Sequence, residues 1–204
     1  MLLWPCVLLS ERGEVTVFED EEKRELLRVA RESIESVFRN TVPVMSEKHG
    51  RLTERRGVFV TLREGKELRG CIGYVEPRLP LVRAVAEVAR KAAFEDPRFP
   101  SLDPDELPLT DIEISILSLL EEVRNVEEIE VGKHGLVLEA GMLKGLLLPH
   151  VPVEYGWDRE QFLNHTALKA GLPPDAWQHD RARLFRFTTE TFSETELYQP
   201  HQPR

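Results

Sequence analysis

The sequence predicts an α+β fold with a largely antiparallel sheet and covering helices, laid out as two β-β-α-β-like halves forming a two-lobed single domain. Three observations lead there. Two stretches, starting near Gly57 and Gly135, each run apolar hairpin, then helical segment, then strand. Glycine stands in the turn of each hairpin, at Gly65 and at Gly141, where a tight connection needs it. The segment Ile112-Glu113-Ile114-Ser115-Ile116 alternates apolar and polar residues, the period-2 pattern of a strand with one buried face. Residue identity between the halves is too weak to call a sequence repeat, so the doubling rests on element order.

The elements follow in order. Residues 1–19 read as an N-terminal extension, 20–192 as the domain and 193–204 as a C-terminal tail. From Asp20 to Asn40, Leu26, Leu27, Ala30, Ile34, Val37 and Phe38 recur at helical spacing behind an acidic first turn that suits the positive end of the helix dipole. Val58 to Leu62 and Glu67 to Tyr74 are the strands of the first hairpin. Pro77 and Pro80 precede a helix with an apolar stripe at Leu81, Val82, Val85, Val88, Ala89 and Ala92, which Pro97 terminates. A strand follows from Asp111 to Leu119, and the acidic run Glu121 to Glu130 reads as solvated surface. The second hairpin spans Gly135 to Leu148; a helix begins at Asp158, where Asp158 and Gln161 form a capping-box pattern, with Gly171 as C-cap. Arg183 to Thr191 reads as the last strand.

Composition narrows the function classes. A chain of 204 residues with 41% hydrophobic and 31% charged residues can bury a core without disulfides or metal and is globular, not disordered. The net charge of −9 argues against generic nucleic acid binding through phosphate neutralisation. Cys6 and Cys71 form no disulfide framework, which points to a reducing, cytoplasmic setting. The apolar opening 1–9 is too short for a membrane span and lacks a basic region, so no membrane association is expected. Phosphate-binding loops, dinucleotide fingerprints, serine nucleophile elbows and zinc motifs are all absent, so the sequence names neither a metal nor a cofactor.

The chemistry concentrates on Leu68-Arg69-Gly70-Cys71-Ile72-Gly73. Gly70 and Gly73 remove side chains beside Cys71, so a ligand or another backbone can approach there. Arg69, two residues away along a strand, shares the face of Cys71, and a neighbouring cation favours the reactive thiolate. A nucleophilic cysteine also needs a base. His134 and His150 are the candidates, with Glu113 as a further proton carrier and Ser115 beside it on the same polar strand face. Arg98, next to Asp96 and Pro97, either fixes its loop with Asp96 or holds an anionic ligand. The opposing reading makes Cys71 a packed cysteine and its glycines devices for close approach.

Together with Ala93-Phe94-Glu95-Asp96-Pro97-Arg98-Phe99, Asp111-Ile112-Glu113-Ile114-Ser115, Lys133-His134-Gly135-Leu136, Gly145-Leu146-Leu147-Leu148-Pro149 and Gly156-Trp157-Asp158, that motif resembles the AMME chromosomal-region (AMMECR-type) family over roughly Asp20 to Phe192. The resemblance implies a two-lobed α+β domain with a cleft near Cys71, an unsettled activity, and a pathway shared with Memo-like and radical-SAM proteins as partners. The chain departs from archaeal relatives at Ala167 and Ala176, where cysteine is common, which leaves Cys71 as the one motif thiol. Two functions follow as expectations. One is a Cys71-centred enzyme or modification component; the other is a non-catalytic module that binds a small anionic ligand or partner segment in the same cleft.

Overall fold

The computed structural model describes residues 18–42, 50–179 and 181–198. Most of the expected N-terminal extension, Cys6 and the end of the tail lie outside these residues.

Helix α1 (Asp20–Phe38) begins where Glu22 accepts the Glu19 N–H at 3.0 Å, joining an acidic first turn to the helix N-terminus. Strands β1 (Val58–Glu64) and β2 (Glu67–Tyr74) make the first hairpin, with Gly65 at φ +58° in its turn. Helix α2 (Leu81–Phe94) and strand β3 (Thr110–Leu117) complete the first half. The second half holds β5 (Gly135–Ala140), β6 (Leu143–Leu147), the short α3 (His150–Glu154), α4 (Arg159–Lys169) and β7 (Arg183–Phe187). The capping box at Asp158 forms as expected: its side chain accepts the Gln161 N–H at 2.8 Å, and Gln161 accepts the Asp158 N–H at 3.0 Å.

The two halves share one connectivity. In each, the third strand pairs antiparallel with the first strand of the hairpin, giving β2-β1-β3 and β6-β5-β7. Each sheet is then completed by a strand from the other half. The chain leaves β3 and adds β4 (Glu121–Glu122) beside β7, and it leaves β7 and adds β8 (Thr189–Ser193) beside β3. The two crossings meet, since the Ser118 N–H donates to the Thr188 carbonyl and the Thr188 N–H donates to Ser118 Oγ, both at 2.9 Å. Helix α5 (Glu194–Tyr198) follows β8.

Two expectations change here. The stretch 183–191 is not one strand, because it breaks at Thr188 and serves both sheets. The acidic run is not all solvated surface: Glu121 and Glu122 pair with Arg186 and Phe185, and Ile129 is fully buried. Its charges hid a short strand and one core anchor.

Burial explains the layering. Val60, Leu62, Ile112 and Ile114 on one face of the first sheet pack under α1 and α2 with Leu26, Leu27, Ile34, Val85 and Val88. Leu136, Leu138 and Leu184 pack under α4 with Phe162 and Leu163. The opposite, helix-free faces meet through Leu117, Val137 and Phe187, with Phe59 and Leu146 against them. The helix-free face of the first sheet, which carries Cys71, therefore turns toward the second lobe. No helix among the described residues is long and apolar enough to cross a membrane.

Candidate functional site

Cys71 sits on β2, an edge strand, opposite Thr61 of β1. Its N–H donates to Asp96 Oδ2 at 2.8 Å, and its carbonyl accepts from Arg98 Nη2 at 3.2 Å. Both backbone groups thus point off the sheet, so Thr61 and Cys71 form the closely spaced, non-hydrogen-bonded type of antiparallel pair. That spacing lets Thr61 Oγ1 donate to the Cys71 sulfur at 3.3 Å. The thiol is free and half-buried.

Asp96 organises the surroundings. It is buried, and it accepts from the Arg98 N–H at 3.1 Å, from Arg98 Nε at 3.0 Å and from Arg98 Nη2 at 2.7 Å, besides the Cys71 N–H. The Arg98 guanidinium, with lesser help from the two backbone donors, holds the Asp96 carboxyl well below the usual carboxylate range. Arg98 in turn lies above its ordinary value, chiefly through its bond to Asp96 and with a contribution from Cys71 itself. The loop 95–98 therefore takes the place of a further strand, satisfying the edge of β2 at Cys71 and fixing a cation beside the thiol.

That cation is Arg98 and not Arg69. Leu62 pairs with Gly70 and Arg63 with Leu68, which leaves Arg69 as the extra residue of a bulge. The bulge breaks the simple alternation, and the Arg69 side chain runs to the following loop. There its Nε and Nη2 bind Glu106 at 2.8 and 2.9 Å, and its Nη1 binds the Pro100 carbonyl at 3.0 Å.

The glycines are filled from within the fold. A Cβ on Gly70 would lie 2.2 Å from the Ala92 carbonyl oxygen of α2, and one on Gly73 would lie 2.2 Å from the Phe59 ring. The second lobe repeats this arrangement: a Cβ on Gly145 of β6 would meet the Thr166 carbonyl of α4 at 2.6 Å, and one on Gly135 would meet the Phe187 ring at 2.3 Å. Both hairpins thus use glycine where the C-terminal end of a helix crosses the strand.

The remaining candidates do not gather at the sulfur. Glu113 lies beyond Thr61 in the same row of the sheet, two strands from Cys71, which is about 9–10 Å. Its carboxylate is 3.8 Å from Arg63. Ser115 pairs with Thr191, hydroxyl to hydroxyl at 2.9 Å. His150 is exposed at the start of α3. His134 is buried near the opposite edge of the first sheet, and its Nδ1 accepts the Glu130 N–H at 3.0 Å. Burial, reinforced by Arg186 and Lys133, pushes its imidazole below its ordinary value.

His134 lines a cleft of ≈ 270 Å³ between the lobes, together with Arg56, Ser118, Arg186 and Thr188, and Cys71 does not contribute to it. Reading the sequence singled out His134 but missed Arg56, Ser118, Arg186 and Thr188. They come from segments spread over more than a hundred positions, from Arg56 to Thr188, and no local pattern joins them. Among the described residues, no group of His, Cys, Asp or Glu is placed to hold a metal ion.

Comparison with known proteins agrees with this architecture. The AMMECR1 family model matches residues 27–192. A protein of Thermococcus gammatolerans is 44% identical over 187 residues, 86% of this chain and 91% of its own length. Protein MK0488 of Methanopyrus kandleri is 45% identical over 194 residues, 90% of this chain and 94% of its own. Among solved structures, the uncharacterised protein PH0010 from Pyrococcus horikoshii superposes with a TM-score of 0.82 at 39% identity, covering 89% of this chain and 96% of that one. With a doubled α+β fold, the Cys71 motif in an edge strand and a family match spanning both lobes, this chain belongs to the AMMECR1 family.

Proposed function

We propose that the protein is a non-catalytic binding module whose Cys71 surface recognises an anionic group on a small ligand or partner segment, with Arg98 as the receptor. The Asp96–Arg98–Cys71 bracket carries this reading. Asp96 fixes the Nε and Nη2 edge of the guanidinium and leaves Nη1 turned away from that pair, while the Arg98 side chain is 54% exposed. A guanidinium oriented in advance loses little freedom when it binds a carboxylate or phosphate. Memo-like and radical-SAM proteins are the partners to try, and a purified Memo-like protein is the first probe. Arg98→Gln weakens its binding about tenfold, as expected for losing one charge-assisted contact, and Cys71→Ser leaves it unchanged. Equal binding by wild type and Arg98→Gln would refute the reading.

A second reading keeps Cys71 as a nucleophile or covalent acceptor in an enzyme or modification step. The Arg98 guanidinium bonded to the Cys71 carbonyl at 3.2 Å, which sets a cation at that residue, favours it. Alkylation by iodoacetamide from about pH 5 to about pH 9 separates the two, because a nucleophile reacts well below the value of about 8.5 typical of a free thiol. Reactivity that follows a free thiol supports the binding module.

A further inference from the structure

We propose that the cleft at the crossing of the two lobes is a second binding site, for a small organic carboxylate received by His134 Nε2–H and Arg56. Both lobes and both crossing segments contribute walls to it: Arg56 and Leu117 from the first lobe, His134 and Phe187 from the second, and Ser118 with Thr188 between them.

Because His134 Nδ1 accepts the Glu130 N–H, the neutral imidazole carries its proton on Nε2. His134 is only 7% exposed, and Nε2–H has no partner among the described residues, although the residue lines the cleft. Arg56 spends Nε and Nη2 on Glu54, at 3.0 and 2.9 Å, which leaves Nη1 open. Acceptors in the wall are already taken. Glu121 faces Arg186, and Glu190 accepts the Phe18 N–H with both oxygens at 2.9 and 3.0 Å and lies 3.0 Å from Lys23. The cleft therefore presents unmatched donors and no unmatched carboxylate, so the complementary guest brings acceptor oxygens.

The chemistry also selects the anion. Arg51 and Arg56 share Glu54, at 3.6 and 2.9 Å, and Arg186 faces Glu121 at 3.1 Å and Glu128 at 3.5 Å, so the three cleft arginines are largely neutralised and little positive charge remains for a guest. A phosphate dianion would be under-compensated. Leu117 and Phe187 supply apolar wall for an organic body, which an inorganic ion lacks. A carboxylate on a small apolar frame satisfies both conditions.

Imidazole-detected NMR on the full chain, with ¹⁵N-labelled histidine, tests this with benzoate as probe and inorganic phosphate as comparison. Benzoate should produce a saturable shift of the His134 Nε2 resonance and leave the His150 and His165 resonances in place. Arg56→Gln should weaken that response about tenfold. Arg56 lies outside the helices and strands, and the wild-type titration stands without it. The proposal is overturned by a response that does not saturate, by equal responses to benzoate and phosphate, or by an Arg56→Gln chain that binds benzoate as wild type does. The Cys71 reading is independent, since Arg98→Gln leaves the His134 titration untouched.

Discussion

Replacing Asp96 with Asn keeps the shape of the side chain and removes its charge. The carboxylate now receives four donors: Cys71 N–H at 2.8 Å, Arg98 N–H at 3.1 Å, Arg98 Nε at 3.0 Å and Arg98 Nη2 at 2.7 Å. An amide has one acceptor oxygen, so its NH₂ must face two of those donors. Hydrogen bonds to a charged group contribute about 1.5–3 kcal/mol each, but their sum overstates the loss because the Arg98 side chain is 54% exposed and water replaces part of it. The two part-buried backbone donors set the scale, and we expect a loss of about 2 kcal/mol. For a chain of this length that is a fall in melting temperature of roughly 4–8 °C, read by calorimetry. Amide exchange at Cys71 should accelerate with it, because its N–H loses an anionic acceptor. Because the folded carboxyl sits below its ordinary value of 3.8, its contribution is complete above that pH and is lost as the pH falls toward the depressed value. Asp96→Asn should therefore lack the part of the acid-side slope that Asp96 contributes. A melting temperature within about 1 °C of wild type, with unchanged exchange at Cys71, would refute the claim that Asp96 anchors this edge.

Three other outcomes follow from the same geometry. Gly70→Ala must displace the Ala92 carbonyl from 2.2 Å and should cost about 2–3 kcal/mol in urea denaturation, whereas Thr53→Ala, an exposed position, should stay within about 0.5 kcal/mol. His134 is held below its ordinary 6.5 by burial, Arg186 and Lys133, so the unfolded chain binds its proton first; stability should fall as the pH drops below about 6.5, and His134→Gln should flatten that part of the profile. Thr61→Val removes the hydroxyl 3.3 Å from the Cys71 sulfur while keeping the branched shape; the thiol should alkylate at a changed rate with Asp96-dependent stability intact, and identical rates would deny the contact.

The doubled layout was legible because its signals are local. Gly65 and Gly141 in hairpin turns, the Ile112-Glu113-Ile114 alternation and the Asp158 cap each depend on a few neighbouring residues. What stayed hidden depends on pairing across the chain. Glu121 and Glu122 form a strand because β7 is beside them, and nothing in an acidic run signals that. Arg69 looked like the cation of Cys71 because alternation places it there, and a one-residue bulge hands that position to Arg98. Gly70 and Gly145 stand in weakly matching surroundings, yet each meets the end of a crossing helix, so the internal duplication is stronger in backbone geometry than in residue identity. The cleft residues Arg56, Ser118, His134 and Arg186 converge through the fold alone.

The exchange of β4 and β8 bears on how the molecule comes apart. Each lobe has its own core, yet neither owns the strand that closes its sheet. A cut in the segment joining the halves would give two fragments, each carrying the finishing piece of the other, so they should reassemble on mixing instead of persisting as independent folds. In the intact chain, peeling one lobe open withdraws a strand from its neighbour, so heat should melt both in one cooperative event, and force applied at the ends must break the Ser118–Thr188 crossing before either sheet can unravel alone.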